Sequence, residues 1–327
     1  MNKLDLATAA ELIDFSGNGA VSADLSKLQL EGAVALHNIL SDMGVAYLAD
    51  EVGMGKTYVA LGVVALLRRF KPDLRVLYLL PKNNVRDKWL KDYRSFIDKN
   101  YRLQDGIVKG FGNSPAAPNR LCSSMSDLAQ TVATASVRDY FICTSAFSLP
   151  MGSTSRELRE TLDRFRAALP QNAKRVDALK DLMPVNSTDV DMPAFKLKVK
   201  QFWAESLNGI LPQFDLVVVD EAHNYRRGLQ SADRNQLLAT VLGTDKNSTL
   251  KTIKRVNQVL LLSATPFDRE IAQLKRQLEL FAKDEVLKVS PKASWDQIHN
   301  ALKPFMVRRL NSIMLGEKAH TRNMYRT

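Results

Sequence analysis

The chain has 327 residues, 45% of them hydrophobic and 25% charged, with a formal net charge of +11 and a pI near 9.6. That composition excludes a disordered or fibrous chain, and the basic excess favours a polyanionic partner, nucleic acid before membrane. Two cysteines, Cys122 and Cys143, are too few for a disulfide framework or a metal cluster and read as buried thiols of a reducing compartment.

The first residues, "MNKLDLATAAELIDFSGNGA", carry acids where a signal peptide needs an apolar core, and no run approaches the length that spans a bilayer. A soluble, cytoplasmic protein is expected, nucleoid-associated if it is bacterial. Five continuous apolar runs follow: "VAYLADE" (45–51), "RVLYLLPKNN" (75–84), "DYFICTSAF" (139–147), "FDLVVVDEAHNY" (214–225) and "QVLLLSATPF" (258–267). Continuous runs predict strands covered on both faces, as in a parallel α/β sheet with helical crossovers. Each run ends in polar residues, at the edge where an open α/β sheet places its ligands.

The first run leads through a polar turn with Gly53 and Gly55 to Lys56, Thr57 and an apolar segment, Tyr58 to Leu67. Strand, loop and helix in that order suit a phosphate-binding loop, whose backbone N–H groups and helix N-terminus attract an anion. Lys56 would reach the β- and γ-phosphates and Thr57 would ligate Mg²⁺, although Asp50 stands where the usual pattern G-x-x-x-x-G-K-S/T begins with glycine. In the fourth run Asp220 sits at a strand tip, where it can hold Mg²⁺, and Glu221 can orient and deprotonate a water. His223 lies either beside the γ-phosphate or in a structural hydrogen bond.

Between Phe147 and Leu211 the pattern changes. "SRELRETLDRFRAALPQNAKRVDALKDL" (155–182) reads as an exposed, mixed-charge helical insertion broken at Pro170, and "PVNSTDVDMP" (184–193) as a flexible link. Residues 226–251 read as another helix and loop with no nameable chemistry. Trp89, Trp203 and Trp295 are scattered and suggest no base-stacking platform.

In their order, "DEVGMGKT", "DEAH" and "LLLSATPF" resemble motifs I, II and III of superfamily-two helicases and translocases. The "ADE-x-G-x-GKT" variant resembles the Swi/Snf-like branch, in which Asp commonly replaces the first glycine. "LQLEGAVAL" (28–36) is similar to that branch's glutamine motif, "LYLLPKNNVRDKWLKDY" (77–93) to its motif Ia with the following Trp, and "LKPFMVRRL" (302–310) to the segment closing its first lobe.

The resemblance implies a RecA-like P-loop lobe over residues 25–310, with a helical insertion at about 150–212, a flanking segment 1–24, and residues 311–327 starting a linker to an absent second lobe. It implies ATP and Mg²⁺ as cofactors and double-stranded DNA as partner. Gln29 would read the adenine edge. Ser263 and Thr265 would couple nucleotide state to the DNA track, and Pro81, Lys82, Asn83, Thr144 and Ser145 would hold backbone phosphates, which fix position without reading sequence. Arg308 and Arg309, at the lobe boundary, are poor substitutes for the arginines a second lobe supplies. The expected function is the first lobe of a Swi/Snf-like DNA translocase; the alternatives are a DEAH-type unwinding helicase and a scaffold without catalysis, whose mark would be a broken Lys56, Asp220 or Glu221.

Overall fold

The computed structural model describes residues 3–149, 151–152, 154–184, 191–230, 233–246, 251–268, 270–290, 293–308, 312–315 and 318–321. In chain order its helices are α1 (Leu6–Leu12), α2 (Ala23–Met43), α3 (Lys56–Phe70), α4 (Asn83–Lys99), α5 (Met125–Thr134), α6 (Ser155–Ala168), α7 (Ala173–Asp181), α8 (Met192–Ile210), α9 (Asp233–Leu242), α10 (Ile271–Glu279) and α11 (Trp295–Leu302). The strands are β1 (Val45–Leu48), β2 (Val76–Leu80), β3 (Asn119–Cys122), β4 (Asp139–Cys143), β5 (Phe214–Val219), β6 (Val256–Leu262), β7 (Met306–Val307), β8 (Ser312–Leu315) and β9 (Lys318–Thr321).

β1 to β7 form one sheet in the order β3-β4-β2-β5-β6-β1-β7, every neighbouring pair parallel, and β8 and β9 form a separate antiparallel pair. The five predicted strands are its central members. Their uninterrupted apolar runs divide by alternation: Tyr47, Leu79, Val217 and Leu261 enter a core on one face, while Ala46, Tyr78, Val218 and Leu260 enter a second core on the other. α1 to α4 cover the second core and α5 to α10 the first. Among the described residues no helix is long and apolar enough to cross a membrane.

β3 and β7 were not anticipated. β3 is an edge strand of four residues with a single buried member, Cys122, and β7 has only two residues, too few to show periodicity. β7 nevertheless pairs with β1, where Tyr47 N–H donates to Phe305 O at 2.7 Å and Ala49 N–H to Val307 O at 2.8 Å.

The segment expected as an exposed insertion departs from that expectation. α6 and α7 are amphipathic: Leu158, Leu162, Phe165, Val176 and Leu179 are buried in the first core, and Phe165 stacks on Trp203 of α8 with ring centroids 4.0 Å apart. The break falls at Pro170, which opens a short 3₁₀ turn between them. Charge was the misleading signal, because the charged side chains of α6 outnumber its large buried apolar ones, Leu158, Leu162 and Phe165. The flexible link lies mainly outside the described residues, as do Arg309 and much of residues 311–327. The flanking segment also packs inward, placing Leu4, Leu12, Ile13 and Phe15 in the second core.

Candidate functional site

Parallel topology brings the C-terminal ends of β1, β6, β5, β2 and β4 to one edge of the sheet. β1 ends in the glycine turn. Gly53 at φ 90° and Gly55 at φ 75° occupy the left-handed region, and Gly55 forms the N-cap of α3 without a side-chain bond. A Cβ on Gly55 would lie 2.3 Å from Gln29 Nε2, so any larger residue there must displace the Gln29 side chain as well as hold a strained φ. Gln29, 4% exposed on α2, donates from Nε2 to Met54 O at 3.2 Å and thus braces the turn from behind. Lys56, the first residue of α3, folds its ammonium back onto the carbonyls of Asp50 (3.1 Å) and Glu51 (3.2 Å). Thr57 follows it, half-buried, and the Asp50 side chain is fully buried.

β5, two strands away, leads directly into Asp220. Its Oδ2 accepts from Trp89 Nε1 at 2.9 Å and its Oδ1 from the Glu221 backbone N–H at 3.0 Å. Burial pushes the Asp220 carboxyl above the usual range, and the neighbouring Glu221 adds to the rise, while the Trp89 hydrogen bond and the charge of Lys56 pull it down. Glu221 sits at φ 51°, ψ 50°, a conformation that non-glycine residues seldom adopt and that is concentrated at functional positions. The chain turns sharply there into a 3₁₀ segment, Ala222–Tyr225.

That turn brings His223 back over the sheet edge. His223 Nδ1 is 2.9 Å from Ser263 Oγ and 3.2 Å from Glu221 Oε2, so one imidazole nitrogen faces both the carboxylate and the end of β6. Ser263 is fully buried and its Oγ also accepts from the Thr265 N–H at 3.2 Å; Thr265 itself is exposed. Of the two readings open for His223, the structure contains the hydrogen bond. Behind this loop the Tyr47 hydroxyl donates to Gln277 Oε1 at 3.0 Å and Gln277 Nε2 to Pro266 O at 2.6 Å, joining β1, α10 and the loop after β6 through fully buried groups.

The other half of the edge lies at the ends of β2 and β4. Lys82 and Asn83 are exposed at the start of α4, and Pro81 is half-buried; Asn83 Oδ1 accepts from Cys143 Sγ at 3.1 Å. Ser145 is exposed, but Thr144 is only 4% exposed, so its hydroxyl is withdrawn from any surface ligand. Both cysteines are buried free thiols, with burial pushing Cys122 up to about 11.

Two contacts escaped the sequence reading, although Trp89 itself stands out there as the Trp after motif Ia. Trp89 approaches Asp220 across 131 positions, and Gln277 approaches Tyr47 across 230, separations at which a single sequence carries no pairing signal. Among the described residues no three His, Cys, Asp or Glu side chains converge on a common point. A magnesium ion held by one carboxylate, one hydroxyl, water and substrate phosphates needs no such cage, and Asp220 and Thr57 fit that mode.

Among solved structures, the chain is similar to the Sulfolobus solfataricus SWI2/SNF2 ATPase core in complex with dsDNA, at 11% identity and a TM-score of 0.49, over 94% of this chain and 47% of that one. It is also similar to the Sulfolobus solfataricus SWI2/SNF2 ATPase core domain, at 12% identity and a TM-score of 0.45, over 89% and 44%. The chain therefore spans about half the length of these structures. No curated protein matches it. A family match covers residues 27–268, from just before Gln29 to just beyond the loop after β6, and so takes in the glycine turn, Asp220, Glu221 and Ser263. Matched over the greater part of its length, the chain belongs to the family described as Type III restriction enzyme, res subunit (ResIII), a helicase-like ATPase motor domain.

Proposed function

We propose that residues 25–310 are the ATP-binding first motor lobe of a Swi/Snf-like, ATP-dependent double-stranded DNA translocase that works inside the cell. The observation that carries the reading is the meeting of Lys56, Asp220, Glu221 and Ser263 at the ends of three adjacent strands, β1, β5 and β6. The Asp50 variant of the phosphate loop, the Trp after motif Ia and the segment at 302–310 favour the Swi/Snf-like branch.

In this reading Lys56 leaves the Asp50 and Glu51 carbonyls for the β- and γ-phosphates, and Gln29 meets the adenine. Thr57 and Asp220 hold Mg²⁺, which when bound offsets charge on the phosphates. Glu221 accepts a proton from the attacking water. His223 and Ser263 report the state of Glu221 to Thr265 and the DNA side. Lys82, Asn83, Pro81 and Ser145 hold backbone phosphates, with Thr144 contributing at most its backbone. In this reading a second motor lobe supplies the arginines that stabilise the transferring phosphoryl group, so a first lobe by itself binds nucleotide but turns it over slowly.

Steady-state ATP hydrolysis with and without double-stranded DNA, with Lys56→Ala as the blank, tests this. Nucleotide binding that is lost in Lys56→Ala, together with turnover no faster than the blank, is expected. Failure of the parent chain to bind ATP would sink the site; robust DNA-stimulated turnover would sink the need for a second lobe.

A further inference from the structure

A line of polar groups runs from Glu221 back into the protein, and the direction of each hydrogen bond in it can be fixed from the far end. Pro266 O can only accept, so the Gln277 amide turns Nε2 toward it at 2.6 Å and leaves Oε1 for Tyr47. Oε1 in turn can only accept, so the Tyr47 hydroxyl donates to it, at 3.0 Å. Gln277 and Tyr47 are both fully buried. Burial pushes the Tyr47 phenol well above its usual range; the neighbouring Ser263 hydroxyl pulls it down and the charge of Glu221 adds to the rise, so the phenol keeps its hydrogen at neutral pH.

With that hydrogen committed to Gln277, the Tyr47 oxygen is left as an acceptor for Ser263, a fully buried hydroxyl that needs one. Ser263 Oγ already accepts from Thr265 N–H at 3.2 Å and lies 2.9 Å from His223 Nδ1. If Ser263 donates to Tyr47, it meets Nδ1 only as an acceptor, and Nδ1 must carry the hydrogen. The near end of the line agrees. Nδ1 also faces Glu221 Oε2 at 3.2 Å, where a bare nitrogen lone pair would oppose the carboxylate and an N–H attracts it.

We infer that Tyr47 and Gln277 are positioning residues for Glu221, because together they hold the neutral His223 in its Nδ1–H form, the one that donates to the Glu221 carboxylate. The inference rests on the proposed role of Glu221 as the group that takes a proton from water. A phenol on β1 and an amide on α10 thus select which nitrogen bears the hydrogen in an imidazole beyond the end of β5. Without the phenol the Ser263 hydrogen turns to Nδ1. His223 then takes the Nε2–H form, and Nδ1 no longer has a hydrogen to offer Glu221.

Long-range proton–nitrogen NMR spectra of the isotope-labelled chain distinguish a ring nitrogen that carries hydrogen from one that does not. They are recorded at a pH where the imidazoles are neutral, with His223→Gln to assign the signals. The parent is expected to show His223 with its hydrogen on Nδ1, whereas the exposed His299 should show the Nε2–H form that histidine favours in water. Tyr47→Phe and Gln277→Leu should each move the His223 hydrogen to Nε2. Gln277→Glu, which keeps an acceptor for Tyr47, should leave it on Nδ1. A purely structural role would lower the melting temperature in these variants without that split. A parent with the hydrogen on Nε2 overturns the inference, and so does a parent on Nδ1 that Tyr47→Phe and Gln277→Leu leave unchanged. The spectra need no nucleotide, so a chain that fails to bind ATP overturns the reading of the nucleotide site by a separate measurement.

Discussion

Trp89 donates its indole N–H to Asp220 at 2.9 Å, joining α4, which carries the expected DNA contacts, to the carboxylate at the end of β5. Its ring is otherwise buried against Tyr78, 5.7 Å away, so a phenyl ring can keep the packing while removing the donor. A hydrogen bond to a charged group contributes about 1.5–3 kcal/mol. Trp89→Phe should therefore weaken Mg²⁺-dependent nucleotide binding by about tenfold or more. Nucleotide titrations at several pH values check this: binding in the variant should fail at a higher pH than in the parent, because Asp220 loses a bond that favours its charged form.

Asp220 should also trade stability for function. Its folded carboxyl titrates above the ordinary 3.8 because burial disfavours the anion. The resulting destabilisation is absent below pH 3.8, grows as pH rises through the folded value, and is complete above it. Asp220→Asn should accordingly melt at a higher temperature than the parent at neutral pH, with the difference closing on acidification towards pH 3.8, while Mg²⁺-dependent nucleotide binding is lost. Equal or lower melting temperatures at neutral pH would contradict the account.

At the opposite edge of the sheet Arg68 and Asp139 form a buried, two-pronged pair at 2.9 and 2.6 Å, joined by the Tyr93 hydroxyl at 2.8 Å. Burial tends to lower the Arg68 pKa, but Asp139 holds the guanidinium protonated. Asp139→Asn strands a buried cation and should cost about 3–5 kcal/mol. Arg68→Met with Asp139→Leu should recover much of that, as read by urea unfolding. Nucleotide affinity at low temperature should hardly change, since the pair lies at the far end of α3 from Lys56.

Gly55→Ala meets Gln29 Nε2 at 2.3 Å and must also hold φ 75°. Loss of nucleotide binding is expected together with destabilisation. Adding Gln29→Ala should remove the collision and leave only the strain of a non-glycine residue in that region, about 1–2 kcal/mol. A double-mutant cycle measures the difference, and strict additivity would show that Gln29 does not brace the loop.

The central sheet was legible because buried parallel strands need nearly continuous apolar runs, and the runs at 45–51, 75–84, 139–147, 214–225 and 258–267 have them. Its margins were not: β3 and β7 borrow their order from β4 and β1 rather than from their own residues. Glycine, lysine and acidic residues at strand ends are local signals, which is why Gly55, Lys56 and Asp220 could be picked out. The bond of Trp89 to Asp220 and that of Gln277 to Tyr47 could not, since they arise from chain separations that only folding closes. Outer-face charge hid the buried stripe of α6 and α7, and a hydroxyl after a strand, as at Thr144, says nothing of which way it turns.

β7 adds a mechanical property. Its backbone is bonded to β1 on both sides of Tyr47 and Leu48, and β1 runs straight into the glycine turn that Lys56 closes. The strand leading away from the sheet and the strand feeding the turn are thus one laminate. Tension applied to the chain beyond Val307 is delivered as shear to the root of the glycine turn, one strand away, without first crossing the sheet.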